Sequence, residues 1–265
     1  MPGAGMARIR TMGRSTAASD TLAGQHDPAG TLTFRGQFNS ALTTAFLADC
    51  WMLPFELVRP IRSPAAFKGQ RNFAGLWWCG TNGRHVGFES WCERDHLMSL
   101  DFDPDVIGIS SQPFRIALPA PLPQHSHVPD YFVRRGDGSA VVLDVRPEAR
   151  VKPADRDVFQ ATEGLCTGVG WSYQRLGALP SVYLANLRWL AGYRYPRCSR
   201  EPVATLLTDI LSNGPAMLRD LTAAAGDPVT TLPTLFHLLW RHKICTDLHD
   251  RPLAKDTLIS LGVTP

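Results

Sequence analysis

Two aspartates and an arginine flank a predicted β-hairpin near the middle of the chain. The segment HVPDYFVRRGDGSAVVLDVRP, residues 127–147, places Asp130 at the start of its first strand and Asp144 near the end of its second. A turn at GDGS, with Arg135 paired to Ala140, sets Asp130 beside Asp144 or the residue after it, and cross-strand neighbours share a face about 5 Å apart. Arg146, two residues after Asp144, lies on the same face as that aspartate.

Converging carboxylates of this kind have a defined chemistry. Mg²⁺ is a hard cation that prefers oxygen ligands and keeps several waters. Bound there, it would activate water and neutralise charge on a phosphodiester. The alternative is a salt bridge between an aspartate and Arg146 on the surface of the hairpin. Spacing alone leaves both open, and a third acidic residue on a helix packed against the sheet would favour the metal.

Motifs on both sides of the hairpin resemble the TnsA family of heteromeric-transposase endonuclease subunits. The matching segments are, in order, ESWCERDHLMSLDFDPDVIGISSQPF, HVPDYFV and VVLDVRP, within roughly residues 70–195. The resemblance implies a restriction-endonuclease-like core that cuts double-stranded DNA at transposon ends with Mg²⁺ or Mn²⁺. It also implies two partners, a TnsB-like DDE transposase and a TnsC-like AAA+ ATPase.

The resemblance assigns catalytic and metal-binding roles by position. Glu93 takes the place of the family's helical acid, Asp130 is the aspartate of the PD motif, and Asp144 and Arg146 fill the final triplet. Glu89 lies four residues before Glu93 on the same helical face and is the second choice for the helical acid.

Arg146 stands where the family has a lysine. Arginine can offset charge in the transition state, but its high pKa prevents it from acting as a base. Since 23 of the 27 basic residues are arginine, the exchange is interpreted as a compositional preference with activity retained. Lys152, beyond Pro147, is expected to be a solvent-facing loop residue. The competing hypothesis is a catalytically inactive DNA-binding or assembly subunit that uses the nuclease fold as a scaffold.

Three further residues near the motifs have open roles. His125 and His127 precede the PD motif and either contact phosphate or metal or are solvated. Gln112 matches the glutamine of the family's QP motif and is expected to be structural.

The elements around these residues predict an α/β fold, with a restriction-endonuclease-like mixed sheet flanked by helices. Short apolar runs at FAGLWWCG and RHVGFES, separated by TNG, indicate a hairpin. Apolar spacing and punctuation by proline predict further helices and strands. The helices are expected over 36–60, 89–100 and 155–167, and strands over 106–118 and 181–185.

The C-terminal region follows a different pattern. Three amphipathic segments, VATLLTDILS, AMLRDLTAAAG and TTLPTLFHLLWRH, precede a short strand, which is the order of a winged helix-turn-helix domain. Its third helix is expected to enter a DNA groove, with Thr231, Thr234, His237 and Arg241 facing outward. Alternatives are a module for protein contacts and, less favoured, a transcriptional regulator.

A basic link joins the two predicted domains. Arg194 and Arg197 alternate with Tyr193 and Tyr195, and no acidic residue lies between 181 and 200. Basic and aromatic residues in this arrangement track nucleic-acid backbones. The alternative is that the aromatic residues form an interdomain core and the arginines a solvated rim.

Composition sets the remaining limits. With 265 residues and 44% apolar residues, the chain can fill two cores. Its six cysteines include no CxxC pair, which disfavours a zinc site or a secreted framework, and the +3 charge alone does not indicate DNA binding. The longest apolar stretch, 42–58, contains charged residues and a proline, so we expect no membrane span. No apolar segment follows the N-terminal arginines, so we expect no signal peptide. The widely spread cysteines are expected to be reduced, which predicts a bacterial cytoplasmic location. The predicted divisions are a disordered tail at 1–32, a helical arm at 33–64, a nuclease domain at 65–195 and a winged helix at 196–265.

Overall fold

The computed structural model describes residues 29–37, 41–62, 73–122 and 124–262. Its strands run in chain order over β1 (Thr31–Arg35), β2 (Leu42–Phe46), β3 (Gly75–Cys79), β4 (Arg84–Phe88), β5 (Val106–Ser111), β6 (Phe114–Ala117), β7 (Ser126–His127), β8 (Tyr131–Arg135), β9 (Ala140–Val145), β10 (Ser172–Leu176), β11 (Ala216–Met217), β12 (Ile244–Cys245) and β13 (Leu258–Leu261). Its α-helices are α1 (Leu47–Cys50), α2 (Trp91–Phe102), α3 (Pro153–Thr167), α4 (Ser181–Ala191), α5 (Glu201–Ser212), α6 (Leu218–Ala225) and α7 (Pro228–Trp240). Short 3-10 turns occupy Phe55–Leu57, Glu148–Arg150 and Pro196–Cys198. The fold is therefore mixed α/β, as expected.

The chain divides into two compact units. The first comprises residues 1–75, 86–89 and 107–177, and the second comprises 76–85, 90–106 and 178–265. This differs from the predicted boundaries, because α2 and α4, expected in the nuclease domain, belong to the second unit together with the C-terminal helices.

The first unit contains two four-stranded sheets. One has the order β2-β1-β6-β7, and its pairs are antiparallel. The other has the order β10-β9-β8-β5, in which β8 and β9 are antiparallel and β9 and β10 are parallel. Helix α3 makes the crossover between β9 and β10, as a parallel pair requires. All six residues of β9 are buried, so that strand lies at the centre of the unit.

Aromatic side chains fill the core between these elements. Phe55 is 0% exposed, and its ring lies 5.1–5.7 Å from the rings of Phe34, Phe114, Phe132 and Trp171. The rings come from β1, β6, β8 and the segment after α3. One aromatic cluster therefore packs strands of both sheets against the segment that follows α3.

The predicted helical arm at 33–64 is wrong. That region contains β1 and β2 instead, and only the four residues of α1 are α-helical. Leu32 and Phe34 alternate into the core, and β1 pairs with both β2 and β6. Tertiary pairing therefore overrides the helical spacing of the apolar residues. Most of the expected disordered tail, residues 1–28, lies outside the described residues.

The second unit is mainly helical. Its core contains side chains from α4, α5, α6 and α7 and from the three-stranded sheet β11-β13-β12. Helix α2 begins after Ser90, whose Oγ accepts a hydrogen bond from the Glu93 backbone N at 3.2 Å. The strand predicted at 181–185 is the first half of α4, where Leu187 and Leu190 are completely buried at helical spacing.

The expected helix over 155–167 is confirmed as α3, and the three C-terminal helices are confirmed as α5, α6 and α7. The hairpin of β3 and β4 is also confirmed. Within the described residues, no helix is both long enough and apolar enough to cross a membrane.

The central position of Phe55 predicts a large stability effect. Phe55→Ala should lower the free energy of unfolding by about 3–5 kcal/mol, because the cavity adds to the lost transfer energy. Phe46→Ala is the matched control, since that ring is 40% exposed on an edge strand, and it should cost less than about 1 kcal/mol. Urea denaturation of the full chain measures both. Equal losses for the two variants would contradict the assigned core.

Candidate functional site

The predicted hairpin is present, with its register shifted by one residue. Arg134 pairs with Ala140, whereas Arg135 was expected to do so. The Arg135 backbone N donates to Ser139 O at 3.0 Å, which leaves Gly136, Asp137 and Gly138 as the turn. Gly138 has φ +85°, a conformation that favours glycine. Continued to the strand ends, this register sets Asp130 opposite Asp144.

Asp130 caps the open end of the hairpin. Its carboxylate Oδ2 accepts a hydrogen bond from the Val145 backbone N at 2.7 Å. Its own N donates to Leu143 O at 3.0 Å, and its O accepts from Gln112 N at 2.8 Å. These three bonds fix the position of the residue, so its carboxylate has a structural role in the ladder.

Gln112 supports Asp130 from an unusual backbone conformation. It has φ +46° without being glycine, and its O accepts from Ile61 N at 2.9 Å. The residue is buried, and its Oε1 has no hydrogen-bond partner among the described residues. The backbone of Gln112 is thus hydrogen-bonded to Ile61 on one side and to Asp130 on the other.

The Asp144 carboxylate is buried and bound by two side chains. It is 3% exposed. His127 Nε2 lies 3.0 Å from Oδ1 and 2.8 Å from Oδ2, while the Tyr173 hydroxyl donates to Oδ2 at 2.6 Å. Burial, then the charge of Asp144 and the hydrogen bond to it, raise the pKa of Tyr173. Strands β7, β9 and β10 therefore meet at one carboxylate.

This arrangement does not fit a bound metal ion. Both Asp144 oxygens already accept hydrogen bonds, and Asp130 Oδ2 is committed to Val145 N. Across the described parts of the chain, no group of three or more His, Cys, Asp or Glu side chains is placed to hold a metal. The structure brings Asp130 and Asp144 together, but as hydrogen-bonded groups.

The two candidate helical acids have local partners. Glu93 belongs to the second unit, and its Oε1 accepts a hydrogen bond from Ser90 Oγ at 2.8 Å in the first turn of α2. Glu89 belongs to the first unit, as Asp130 and Asp144 do, and forms an ion pair with Arg62 at 3.0 Å. Of the two, Glu89 is therefore the one that shares a compact unit with the aspartates.

Arg146 pairs with Asp155 and not with Asp130 or Asp144. Its backbone N donates to Leu176 O at 2.9 Å, and its Nη1 lies 3.8 Å from Asp155 Oδ2 near the start of α3. Its side chain is 46% exposed. The alternative of a hairpin salt bridge between Arg146 and an aspartate of the pair is therefore wrong.

A group of basic residues follows β9. Arg156 and Arg175 both bind Glu148 and lower its pKa. Arg150 and Lys152 are exposed, and neither forms an ion pair with any described residue. We name Arg146, Arg150, Lys152, Arg156 and Arg175 the basic corner. Sequence reasoning placed Lys152 in a solvent-facing loop but missed the group, since Arg175 approaches only when β10 pairs with β9.

Arg194 and Arg197 of the basic link differ in their surroundings. The Arg194 guanidinium stacks on Trp77 at 3.9 Å and on Tyr195 at 4.2 Å, and its Nε donates to Trp78 O at 3.1 Å. Burial lowers the pKa of Arg194. Arg197 stacks on Tyr195 at 4.4 Å but is exposed. Arg194 is thus a packing residue, and Arg197 alone of the pair is accessible.

The expectation that α7 presents a row of outward residues is wrong for three of its four candidates. Thr231 and Thr234 are 0% exposed and His237 is 8% exposed. Thr234 Oγ1 donates to Cys198 O at 3.1 Å, and His237 Nδ1 lies 2.8 Å from Tyr193 O. The segment after α4 contacts Thr234 and His237, and of the four candidates only Arg241 is exposed.

Comparison of the sequence with models of protein families and with curated proteins found no match in either case.

The bond between Tyr173 and Asp144 predicts a pH-dependent stability. Tyr173→Phe should lower the free energy of unfolding by about 1–3 kcal/mol at pH 7, because it removes a hydrogen bond to a charged group. The folded pKa of Tyr173 is raised, so its contribution is present below the unfolded value of about 10 and is lost as pH rises above it. Urea denaturation at pH 7 and 10.5 measures the difference.

A double-mutant cycle provides the control for that prediction. In an Asp144→Asn background the Tyr173→Phe change should cost less, since the charged acceptor is absent. The same cost in both backgrounds would contradict the assigned bond.

Proposed function

We propose that this chain is a DNA endonuclease subunit of a heteromeric transposase that cuts double-stranded DNA at transposon ends. The observation that supports this most is the pair of aspartates at the matching ends of β8 and β9. Asp130 and Asp144 are opposed there in a mixed sheet flanked by α3. The ordered motifs that resemble the TnsA family support the same function.

The fold described above supports this proposal in outline. A mixed sheet with a β9-α3-β10 crossover is compatible with a restriction-endonuclease-like core. In the second unit, the order α5-β11-α6-α7-β12-β13 is compatible with a winged helix. Because α7 is covered along the face expected to read DNA, we assign this module to protein contacts. A TnsB-like transposase and a TnsC-like ATPase are the proposed partners.

The basic corner is the proposed DNA contact of the first unit. Arg146 immediately follows β9, the strand that carries Asp144, so the basic corner begins two residues after that aspartate. The side chains of Arg150 and Lys152 form no ion pair among the described residues and are available to phosphate oxygens. They would bind the DNA backbone, and Arg146 would offset charge on the scissile phosphate.

Hydrolysis would leave a 5′-phosphate and a 3′-hydroxyl. The implied cofactor is Mg²⁺ or Mn²⁺, with Asp130 and Asp144 as ligands together with an acidic residue, of which Glu89 is the candidate in the same unit. The arrangement described above would have to open before these residues could hold it.

The hydrogen bonds that already occupy the Asp144 oxygens favour a second candidate function. If Asp144 stays bound to His127 and Tyr173, the fold serves as a scaffold for DNA or partners without cutting. Arg146 is exposed and paired with Asp155, which also favours a scaffold without cutting activity.

Cleavage distinguishes the two candidates. The full chain, supplied with transposon-end DNA and Mn²⁺, should nick it, and Asp130→Ala should reduce the rate by at least about 100-fold if it removes electrostatic stabilisation of the reaction. Asp137→Ala is the matched control, because Asp137 is an exposed aspartate in the turn of the same hairpin. Nicking that persists in Asp130→Ala would overturn the assignment of the site.

DNA affinity tests the basic corner separately. A plot of log affinity against log salt should lose about 0.9 units of slope for each phosphate contact removed, so Arg150→Ala with Lys152→Ala should reduce it by about 1.8. Arg219→Ala with Arg251→Ala is the control, since both arginines are exposed but paired with aspartates in the second unit. An unchanged slope in the first double variant would remove the corner from the DNA interface.

A further inference from the structure

We propose that a cavity in the second unit binds a small aromatic molecule that carries a protonated amine. This site is independent of the endonuclease function proposed above. The cavity has a volume of about 280 Å³, and it is lined by the end of α2, by α4 and α7, and by the segment 242–249, all of which belong to the second unit. An engineered cavity of about 150 Å³ binds benzene, so this one has room for an aromatic ring with a short side chain.

The lining of the cavity is apolar and buried on one side and polar and exposed on the other. Leu190 and Ile244 are 0% exposed, and Leu239 is also buried. Asp247 and His249 are exposed to solvent. A ligand that enters beside these two residues therefore buries its apolar part against the helices and keeps its polar end near the surface.

Two pairs of rings form part of the lining. The rings of Tyr183 and His249 stack with their centroids 4.5 Å apart and their planes within 7° of parallel. The rings of Phe102 and His242 lie 4.3 Å apart. Aromatic faces carry negative potential, so they favour both a flat ring and a positive charge.

Three polar side chains of the lining are already satisfied inside the protein. The Tyr183 hydroxyl is hydrogen-bonded to Ser99 Oγ at 3.0 Å, and Thr246 Oγ1 donates to a backbone carbonyl at 2.8 Å. His242 Nε2 donates to Phe102 O at 2.5 Å. Because Nε2 holds the proton in this bond, Nδ1 of a neutral His242 is an acceptor.

Asp247 supplies the charge that selects the ligand. Its Oδ1 accepts a hydrogen bond from the His249 backbone N at 2.7 Å, and its Oδ2 accepts none within the described part of the chain. None of the described residues that line the cavity is a lysine or an arginine. The lining thus offers acceptors and one negative charge, which favour a cationic donor and disfavour a carboxylate or a phosphate.

The backbone at His242 is strained in a way that fixes the cavity wall. His242 has φ +54° although it is not glycine. Gly262 packs so closely against the His242 carbonyl that there is no room for a Cβ, and its N donates to Lys243 O at 3.0 Å. Strained conformations that the surrounding structure holds in place cluster at binding sites. This strain is a second observation, independent of the cavity, that favours a site here.

Isothermal titration of the full chain with phenethylamine tests the site. The dissociation constant should be below about 1 mM, as expected for a small ligand that buries one ring. Phenylacetate carries a carboxylate in place of the protonated amine. It should bind at least about ten-fold more weakly, because its charge has the same sign as that of Asp247.

Substitution of one aspartate locates the amine. Asp247→Asn keeps the shape of the side chain and should weaken phenethylamine binding about five-fold, the upper range for an exposed ion pair. Asp250→Asn is the matched control, since it removes the same charge from an exposed position outside the cavity lining, and it should bind as the wild type does. Thermal melting checks that both variants are folded.

Three results would overturn the proposal. The first is no measurable binding of phenethylamine, and the second is equal affinity for phenethylamine and phenylacetate. The third is the same affinity in Asp247→Asn and Asp250→Asn, because the amine would then not be held at Asp247.

Discussion

The buried carboxylate of Asp144 is the constraint on which the centre of the first unit depends. An ionised group at 3% exposure is costly unless donors surround it. His127 supplies one donor from β7, in the other sheet, and Tyr173 supplies the second from β10, which pairs with β9. The bonds therefore join the last strand of one sheet to the last strand of the other. The same bonds decide whether the carboxylate can take part in chemistry.

Packing in the structure changes which residues are candidates for DNA contact. Arg194, Thr231 and His237 were expected on a nucleic-acid surface, but Thr231 and His237 are buried and Arg194 is half-buried against Trp77. The basic corner, formed where β10 pairs with β9, becomes the better candidate for phosphate contact. Arg197 and Arg241 are exposed, so they stay the candidate DNA contacts of the second unit.

Sequence patterns predicted the elements with strong local signals. Apolar runs on both sides of a glycine-rich turn predicted the hairpin of β8 and β9, and apolar spacing predicted α2, α3 and the C-terminal helices. The one-residue register shift was not predictable, because it depends on how the GDG turn closes. The region of β1 and β2 was mistaken for helix, since the pairing of β1 with distant β6 has no local signature. The contacts of Asp144 with His127 and Tyr173 join three strands, and spacing along the chain does not show them.

A crystal structure of the full chain with Mn²⁺ and a transposon-end duplex would test the central claim, that Asp144 opens to become part of a cutting site. If Asp144 takes part in cutting, an anomalous peak should lie within coordination distance of Asp130 and Asp144, with His127 displaced from the carboxylate. A structure with DNA bound, no peak at the aspartates and the bonds from His127 and Tyr173 to Asp144 intact would contradict it.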